Sequence, residues 1–283
     1  MANIRLIKRR IKSAKNIAQI TRATQLVAAS KMRKAQEQAN AGRMYAQKIA
    51  QMVTRLAAST DAVHHPLLAP PQPTGKRLVI VISTNKGLCG GLNTSLFRFF
   101  LKEYDKPAHH EFITIGIKGA AFLHAMRLPL AADFSTTVPF VESVPAVVDL
   151  VIQKYLSKSY EGVDIIYNNF ASALRQEPRK KTIVPLSIDT IETSREDTGT
   201  YLIEPSVAQV FDALLPHYIE NQVRDAILQA EASEHSARMI AMKNATDNAL
   251  SLMDELTLVY NKARQEKITY EISDMVTARL AVE

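Results

Sequence analysis

The first 59 residues contain no proline and a single glycine, Gly42, and they are rich in Ala, Lys, Arg, Gln and Met. Those are good helix formers. One stripe holds strict three-four spacing: Ile4, Ile7, Ile11, Ala14, Ala18, Thr21, Gln25, Ala28, Met32, Ala35, Ala39, Gly42, Ala46, Ile49, Val53 and Leu56. A heptad seam sustained over about eight repeats predicts a coiled-coil helix. At 1.5 Å per residue it would be roughly 80 Å long, more than a compact domain of this size can enclose. The middle of the seam is small, with Ala14, Ala18, Thr21, Ala28, Ala35, Ala39 and Gly42. Small seam residues let two backbones approach closely and predict a thin rod.

The helical pattern stops at His65-Pro66, Pro70-Pro71 and Pro73, because proline pairs cannot continue a helix. From Leu78-Val79-Ile80-Val81-Ile82 onward the pattern alternates. That buried strand is followed by the turn Lys86-Gly87-Leu88-Cys89-Gly90-Gly91 and a helix from about Leu92 to Tyr104. Phe112 to Ile117 reads as a strand, Gly119 to Met126 and Val144 to Leu156 as helices, Val163 to Phe170 as a strand, and Ile183 to Ile188 as the last strand. Strands alternating with helices predict an α/β layer with a largely parallel sheet. From Ser206 to the end there is no glycine and one proline, Pro216, and a second seam reads Met242, Ala245, Ala249, Leu252, Leu256, Val259, Ala263. The expected organisation is therefore a helix over 1–60, an α/β domain over 61–205 and a helix over 206–283, with the two end helices paired antiparallel.

Charge follows the same division. Residues 1–60 carry thirteen Lys/Arg and one acid, Glu37; residues 61–205 carry fifteen of each sign; residues 206–283 carry seven Lys/Arg and twelve acids. A basic front and an acidic back attract one another. The front exceeds what solubility requires and calls for an acidic partner.

Little in the chain points to catalysis. Gly87, Gly90 and Gly91 match neither phosphate-binding glycine spacing, Lys86 precedes them, and Ile115-Gly116-Ile117 puts no acid where a ribose hydroxyl would be held. The turn reads instead as a tight strand-to-helix connection. His64-His65 and His109-His110 are adjacent pairs rather than helical metal ligands and read as surface residues, as do His217 and His235. One cysteine, Cys89, excludes an internal disulfide and a cysteine-based zinc site. The longest apolar run is far short of the roughly 20 residues of a spanning helix, and the start lacks a signal peptide's apolar stretch. No enzyme activity, cofactor or metal is expected. Two other readings compete: a nucleic-acid-binding coiled coil led by the basic helix, with steep salt dependence, and a nucleotide-dependent enzyme built on the α/β domain.

The residues also resemble a known family. Ile7-Lys8-Arg9-Arg10-Ile11-Lys12-Ser13, Ile20-Thr21-Arg22-Ala23 and Val27 to Ala35 look like the first helix of the gamma subunits of F-type ATP synthases. So do Ser83-Thr84 with Lys86 to Asn93, Tyr201-Leu202-Ile203-Glu204-Pro205, Ala237 to Ala249, and Leu256 to Gln265 with Ile268-Thr269 and Glu271. The motifs span nearly the whole chain in order. The resemblance implies a Rossmann-like central domain whose N- and C-terminal helices form a long antiparallel coiled coil. It implies a non-catalytic rotor shaft standing in a hexamer of alpha and beta subunits, meeting epsilon, delta and the c-ring. The membrane would be reached only through those partners, at the cytoplasmic face of the bacterial plasma membrane, and nucleic acid would have no role. By the same resemblance, Arg9, Arg10, Arg22, Lys31, Arg33 and Lys34 would face the acidic lever of the beta subunits. Arg264, Gln265 and Thr269 would meet the catch region of beta, and Tyr201, Leu202, Ile203 and Glu204 the rotor ring and epsilon. Thr24 and Gln25 depart from the family's usual Met and charged residue, the Thr277-Ala278-Arg279-Leu280 end lacks its small-residue close, and no chloroplast-type cysteine insert is present.

Overall fold

The structure, a computed structural model, describes residues 4–58, 66–68, 74–104, 106–186, 204 and 206–280. Two helices dominate it: α1 (Ile4–Ala58) and α5 (Val207–Leu280), the latter continuous through Pro216. Between them lie β1 (Arg77–Ile82), α2 (Leu92–Glu103), β2 (Glu111–Ile115), α3 (Ile117–Ala125), β3 (Leu130–Asp133), α4 (Val144–Leu156), β4 (Gly162–Ser172) and β5 (Arg175–Val184). The chain divides into two compact units, residues 30–237 and residues 1–29 with 238–283.

In the first of these units the sheet runs β3-β2-β1-β4-β5. The β1–β2, β1–β4 and β2–β3 pairs are parallel and β4–β5 is antiparallel. Leu78, Ile80 and Ile82 point to one face with Ile113, Ile115, Val163 and Ile165. There they are covered by Val144, Val147 and Val151 of α4, Ile49 and Val53 of α1, and Phe211, Leu215, Ile219, Val223 and Ile227 of α5. Val79, Val81, Phe112 and Ile166 point to the other face, under Leu96 and Phe100 of α2 and Leu123 of α3. Both faces are buried, so β1 is apolar throughout rather than alternating.

The sheet departs from the sequence reading at its edges. β3 was not anticipated: Leu130–Asp133 is short and half-exposed, so it carries no apolar run. The expected last strand at Ile183–Ile188 is corrected to Arg175–Val184, since Pro185 follows directly; residues 187 and 188 lie outside those described. β5 is an edge strand rich in Arg and Lys, with Pro178 inside it. Such residues blunt exposed edges, and they erase the apolar signal of a strand. β2 ends and α3 begins two residues earlier than expected, because the Asn85 side chain accepts the Ile117 amide at 2.8 Å and starts the helix there.

In the other unit α1 and α5 pack on one another. The Thr21 and Thr246 hydroxyls meet at 2.6 Å. Burial on α1 begins with Ile4 and Ile7, and burial on α5 ends at Ala263. Ile4 lies seventeen residues before Thr21 and Ala263 seventeen after Thr246, so the pair is antiparallel. That register sets Ile7 against Tyr260, Ile11 against Leu256, Ala14 against Met253, Ala18 against Ala249 and Gln25 against Met242. Every α1 seam residue expected from the sequence is buried or half-buried. The α5 seam needs correction at two positions: Leu252 and Val259 are 48% and 51% exposed, and the half-buried Met253 and Tyr260 take their places, while Ala245 is half-buried beside the buried Thr246. Beyond Ala263 every described side chain of α5 is exposed, including Ile268, Tyr270, Ile272, Met275 and Val276.

Candidate interaction surfaces and a closed glycine-rich turn

The turn after β1 is filled by the chain's own groups. Ser83 Oγ accepts the Gly119 amide at 2.6 Å and donates to the Gly116 carbonyl at 3.1 Å. Thr84 Oγ1 donates to the Lys86 carbonyl and accepts from Asn93 Nδ2, and the Lys118 amide donates to the Thr84 carbonyl. Gly116 has φ 103°, and a Cβ there would stand 2.3 Å from the Ser83 carbonyl oxygen, so no other residue fits. Gly90, at φ 59°, turns the chain into α2. The amide that starts α3, a natural anion donor, is taken by Asn85. The Ser83-Thr84-Asn85 end of β1 is spent on the chain's own groups, whereas Gly87, Gly90 and Gly91 are exposed with open space where a Cβ would stand.

Two polar networks pin the amino ends of the parallel strands. Asp164, fully buried on β4, receives Arg77 Nε and Nη2 at 2.6 Å each, Tyr104 Oη at 2.8 Å and Thr182 Oγ1 at 2.8 Å. Burial alone would push its carboxyl up; the guanidinium and the two hydroxyls hold it below the usual carboxylate range. Glu111 takes Lys76 Nζ at 2.7 Å, Tyr160 Oη at 2.5 Å and Lys154 Nζ at 3.0 Å. Those bonds, from Lys76 first, bring its pKa to about 2. His110, read as a surface residue, is half-buried: its Nδ1 accepts the Arg77 amide at 3.2 Å, and burial with the Arg77 charge lowers its pKa. These groups are saturated by one another, and the nearly buried Asp164 is a structural ion pair rather than a reactive acid. Among the described residues no group of His, Cys, Asp and Glu is placed to hold a metal, and no helix is long and apolar enough to cross a membrane.

The residues singled out for contact divide between the units. Arg9, Arg10, Arg22, Arg264, Gln265 and Thr269 belong to the coiled-coil unit, and Lys31, Arg33 and Lys34 to the other. All nine are exposed. The Thr269 hydroxyl is spent on the Gln265 carbonyl of its own helix at 3.0 Å. Lys31 has company inside the chain: burial and Glu234 push the Glu231 carboxyl up, and the Lys31 charge acts against that. Glu204 is exposed, and Tyr201, Leu202 and Ile203 lie outside the described residues.

Electrostatic self-neutralisation, expected from the charge of the two ends, is incomplete. Residues 1–29 hold seven Lys/Arg and no acid, while residues 238–283 hold six Lys/Arg and seven acids, leaving the coiled-coil unit at net +6. The acidic excess of the last helix sits before Arg238, with Asp212, Glu220, Asp225, Glu231 and Glu234. What joins the helices is the small seam. A further polar contact lies outside the sequence reading: Ser233 and Ser236 of α5, both fully buried, donate to the carbonyls of Asn168 and Ala173. A serine on a helix carries no signal of its partner.

Comparison with known proteins agrees with this architecture. The family model described as ATP synthase matches residues 3–282. The ATP synthase gamma chain of Opitutus terrae is 42% identical, over 99% of both chains, and that of Stenotrophomonas maltophilia is 38% identical over the full length of both. Among solved structures, a chain of the Euglena gracilis mitochondrial ATP synthase in an OSCP/F1/c-ring assembly matches with TM-score 0.66 and 21% identity, covering 99% of this chain and 94% of that one. A rotor chain of the same enzyme matches with TM-score 0.61 and 20% identity, covering 94% and 98%. Matched from end to end by the family model and by these gamma chains, the chain belongs to the ATP synthase gamma-chain family.

Proposed function

We propose that this chain is the central rotor shaft of an F-type ATP synthase, coupling ion flow through a membrane ring to ATP synthesis or hydrolysis in an alpha/beta hexamer. The observation that carries the reading is the coiled-coil unit: an antiparallel pair whose seam narrows to Ala18 against Ala249 and Thr21 against Thr246 while its surface keeps net +6. A shaft inside a ring must be thin, and close backbone approach supplies that. Its surface charge asks for acidic partners. Exposed ion pairs are worth about 0–1 kcal/mol each, which suits contacts made and broken at every turn.

In this reading the functional division is a helix over 1–60, an α/β domain over 61–205 and a helix over 206–283. Arg9, Arg10, Arg22, Lys31, Arg33 and Lys34 meet the acidic lever of beta, and Arg264, Gln265 and Thr269 its catch region. Tyr201 to Glu204 meet the ring and epsilon, and delta completes the soluble assembly. The chain catalyses nothing; it selects among conformations of the beta subunits by binding them unequally as it turns. It sits at the cytoplasmic face of a bacterial plasma membrane, held by its partners.

Mixing the chain with alpha and beta subunits tests the proposal. The expected result is a complex of three alpha, three beta and one copy of this chain by native mass, with ATP hydrolysis well above that of alpha and beta alone. No association, from subunits that do assemble with another gamma chain, would overturn it.

A further inference from the structure

Most of the contact between α5 and the sheet is apolar: Phe211, Leu215, Ile219, Val223 and Ile227 lie in the common core. Apolar contact is non-directional. It holds a helix against a surface strongly but resists rolling about the helix axis weakly. Near its end the contact changes character. Ser233 and Ser236, three residues apart and so on one face of the helix, are fully buried, beside buried Ala232. Ser233 Oγ donates to the Asn168 carbonyl at 2.9 Å, and Ser236 Oγ to the Ala173 carbonyl at 2.6 Å. From the other side Gln176 Nε2 donates to the Ser172 and Ala173 carbonyls and reaches Ser236 Oγ at 3.3 Å.

The acceptors are backbone atoms of the β4–β5 hairpin. Asn168 lies two residues past Ile166, the last β4 residue paired with β1, where β4 runs on past the carboxyl end of the central strand, still paired with β5. That position is the crevice where doubly wound sheets bind their ligands. Here α5 itself engages it. Hydrogen bonds to two separate carbonyls, Asn168 in β4 and Ala173 in the hairpin turn, set an azimuth as well as a distance.

We propose that Ser233, Ser236 and Gln176 form a torsional clamp, which fixes the rotation of α5 about its own axis against the sheet and lets torque pass between the α/β layer and the shaft helix. The three are positioning residues that bind no nucleotide. The inference rests on the rotor reading: in a static scaffold the clamp would only add stability. It lies just before Arg238, at the end of the sheet-containing unit's share of this helix.

The test uses the complete complex in sealed vesicles, with wild type, the double variant Ser233→Ala/Ser236→Ala and the control Val151→Ala. The control loosens the core at α4 without touching the clamp. Hydrolysis and synthesis by the wild-type complex test the rotor reading first. Given that, the double variant is expected to hydrolyse ATP at the wild-type rate. It should show larger angular fluctuations of a bead fixed to the stalled rotor, and a lower synthesis rate at limiting driving force. Amide exchange in residues 173–177 should rise on the order of fivefold per hydrogen bond lost. Val151→Ala should lower the melting temperature and leave the angular fluctuations unchanged. If the double variant does not assemble, Ser236→Ala alone is measured in the same way. Wild-type fluctuations and synthesis in the serine variant, or equal softening by Val151→Ala, would overturn the proposal.

Discussion

The two compact units solve the same problem, holding long helices in place, by opposite means. The sheet-containing unit locks itself with bonds between residues far apart in sequence: Arg77 to Asp164, Lys76 to Glu111, Ser233 to Asn168. The coiled-coil unit joins its helices at a hydroxyl pair, Thr21 with Thr246, set among small buried side chains at Ala14, Ala18, Ala28 and Ala249. The first unit invests in directional bonds and buried charge. The second minimises thickness and leaves its charge on the outside. A body that must hold its shape and a rod that must slide past partners call for different chemistry.

The largest effect that separates the two is expected from Arg77→Ala. It leaves the fully buried Asp164 carboxylate to Tyr104, Thr182 and a Lys180 ammonium 3.9 Å away, so the loss falls at the lower end of the roughly 3–5 kcal/mol of a broken buried pair. Urea unfolding of the isolated chain should show that loss. Paired labels on α1 and α5 within residues 4–29 and 238–263 should report an unchanged separation. A changed separation would break the contrast between the units.

Next is Ala18→Leu, facing Ala249. Overpacking a close seam costs roughly 1–3 kcal/mol, and here it should push the helices apart at that level. The same labels should record the widening, and hexamer-stimulated hydrolysis should fall. An unchanged separation would mean that the seam is looser than its burial indicates.

A smaller effect is expected from Glu111→Gln, about 1 kcal/mol after discounting for partial exposure. Its pH dependence is the sharper test. The folded pKa of about 2 lies below the ordinary glutamate value near 4.3, so the carboxylate stabilises the fold fully above that value. The contribution fades as pH falls toward 2. Wild type and Glu111→Gln should therefore differ at pH 7 and converge near pH 2 in denaturant titrations.

Smallest in stability is Arg33→Glu with Lys34→Glu, both exposed: within about 0.5 kcal/mol, as for other surface changes. Coupled ATP synthesis should nevertheless fall. Unchanged synthesis would remove these two residues from the contact surface.

What the sequence made legible follows local repetition. The α1 seam could be read residue by residue because a heptad repeat is a local pattern. β1 was legible because a strand buried on both faces is an uninterrupted apolar run. The α5 seam slipped by one at two positions, since Leu252 and Val259 are apolar neighbours of the true seam residues and hydrophobicity alone favours them. The structure prefers Met253 and Tyr260 in the register that brings Thr246 to Thr21, leaving Leu252 and Val259 for another surface. β5 was misplaced because an edge strand is written in Arg, Lys and Pro. The Arg77–Asp164 pair, 87 residues apart, and the serine clamp depend on which backbone arrives beside which side chain, and no local pattern encodes that. The Lys31 neighbour Glu231 is likewise brought close by the fold and by no local pattern.

The end of burial at Ala263 has a consequence for the life of the protein in a cell. Ile268, Tyr270, Ile272, Met275 and Val276 stand in solvent on a helix with no companion. Exposed apolar stripes of this kind promote self-association and are what quality-control machinery recognises. A newly made copy that finds no hexamer therefore carries its own mark for disposal.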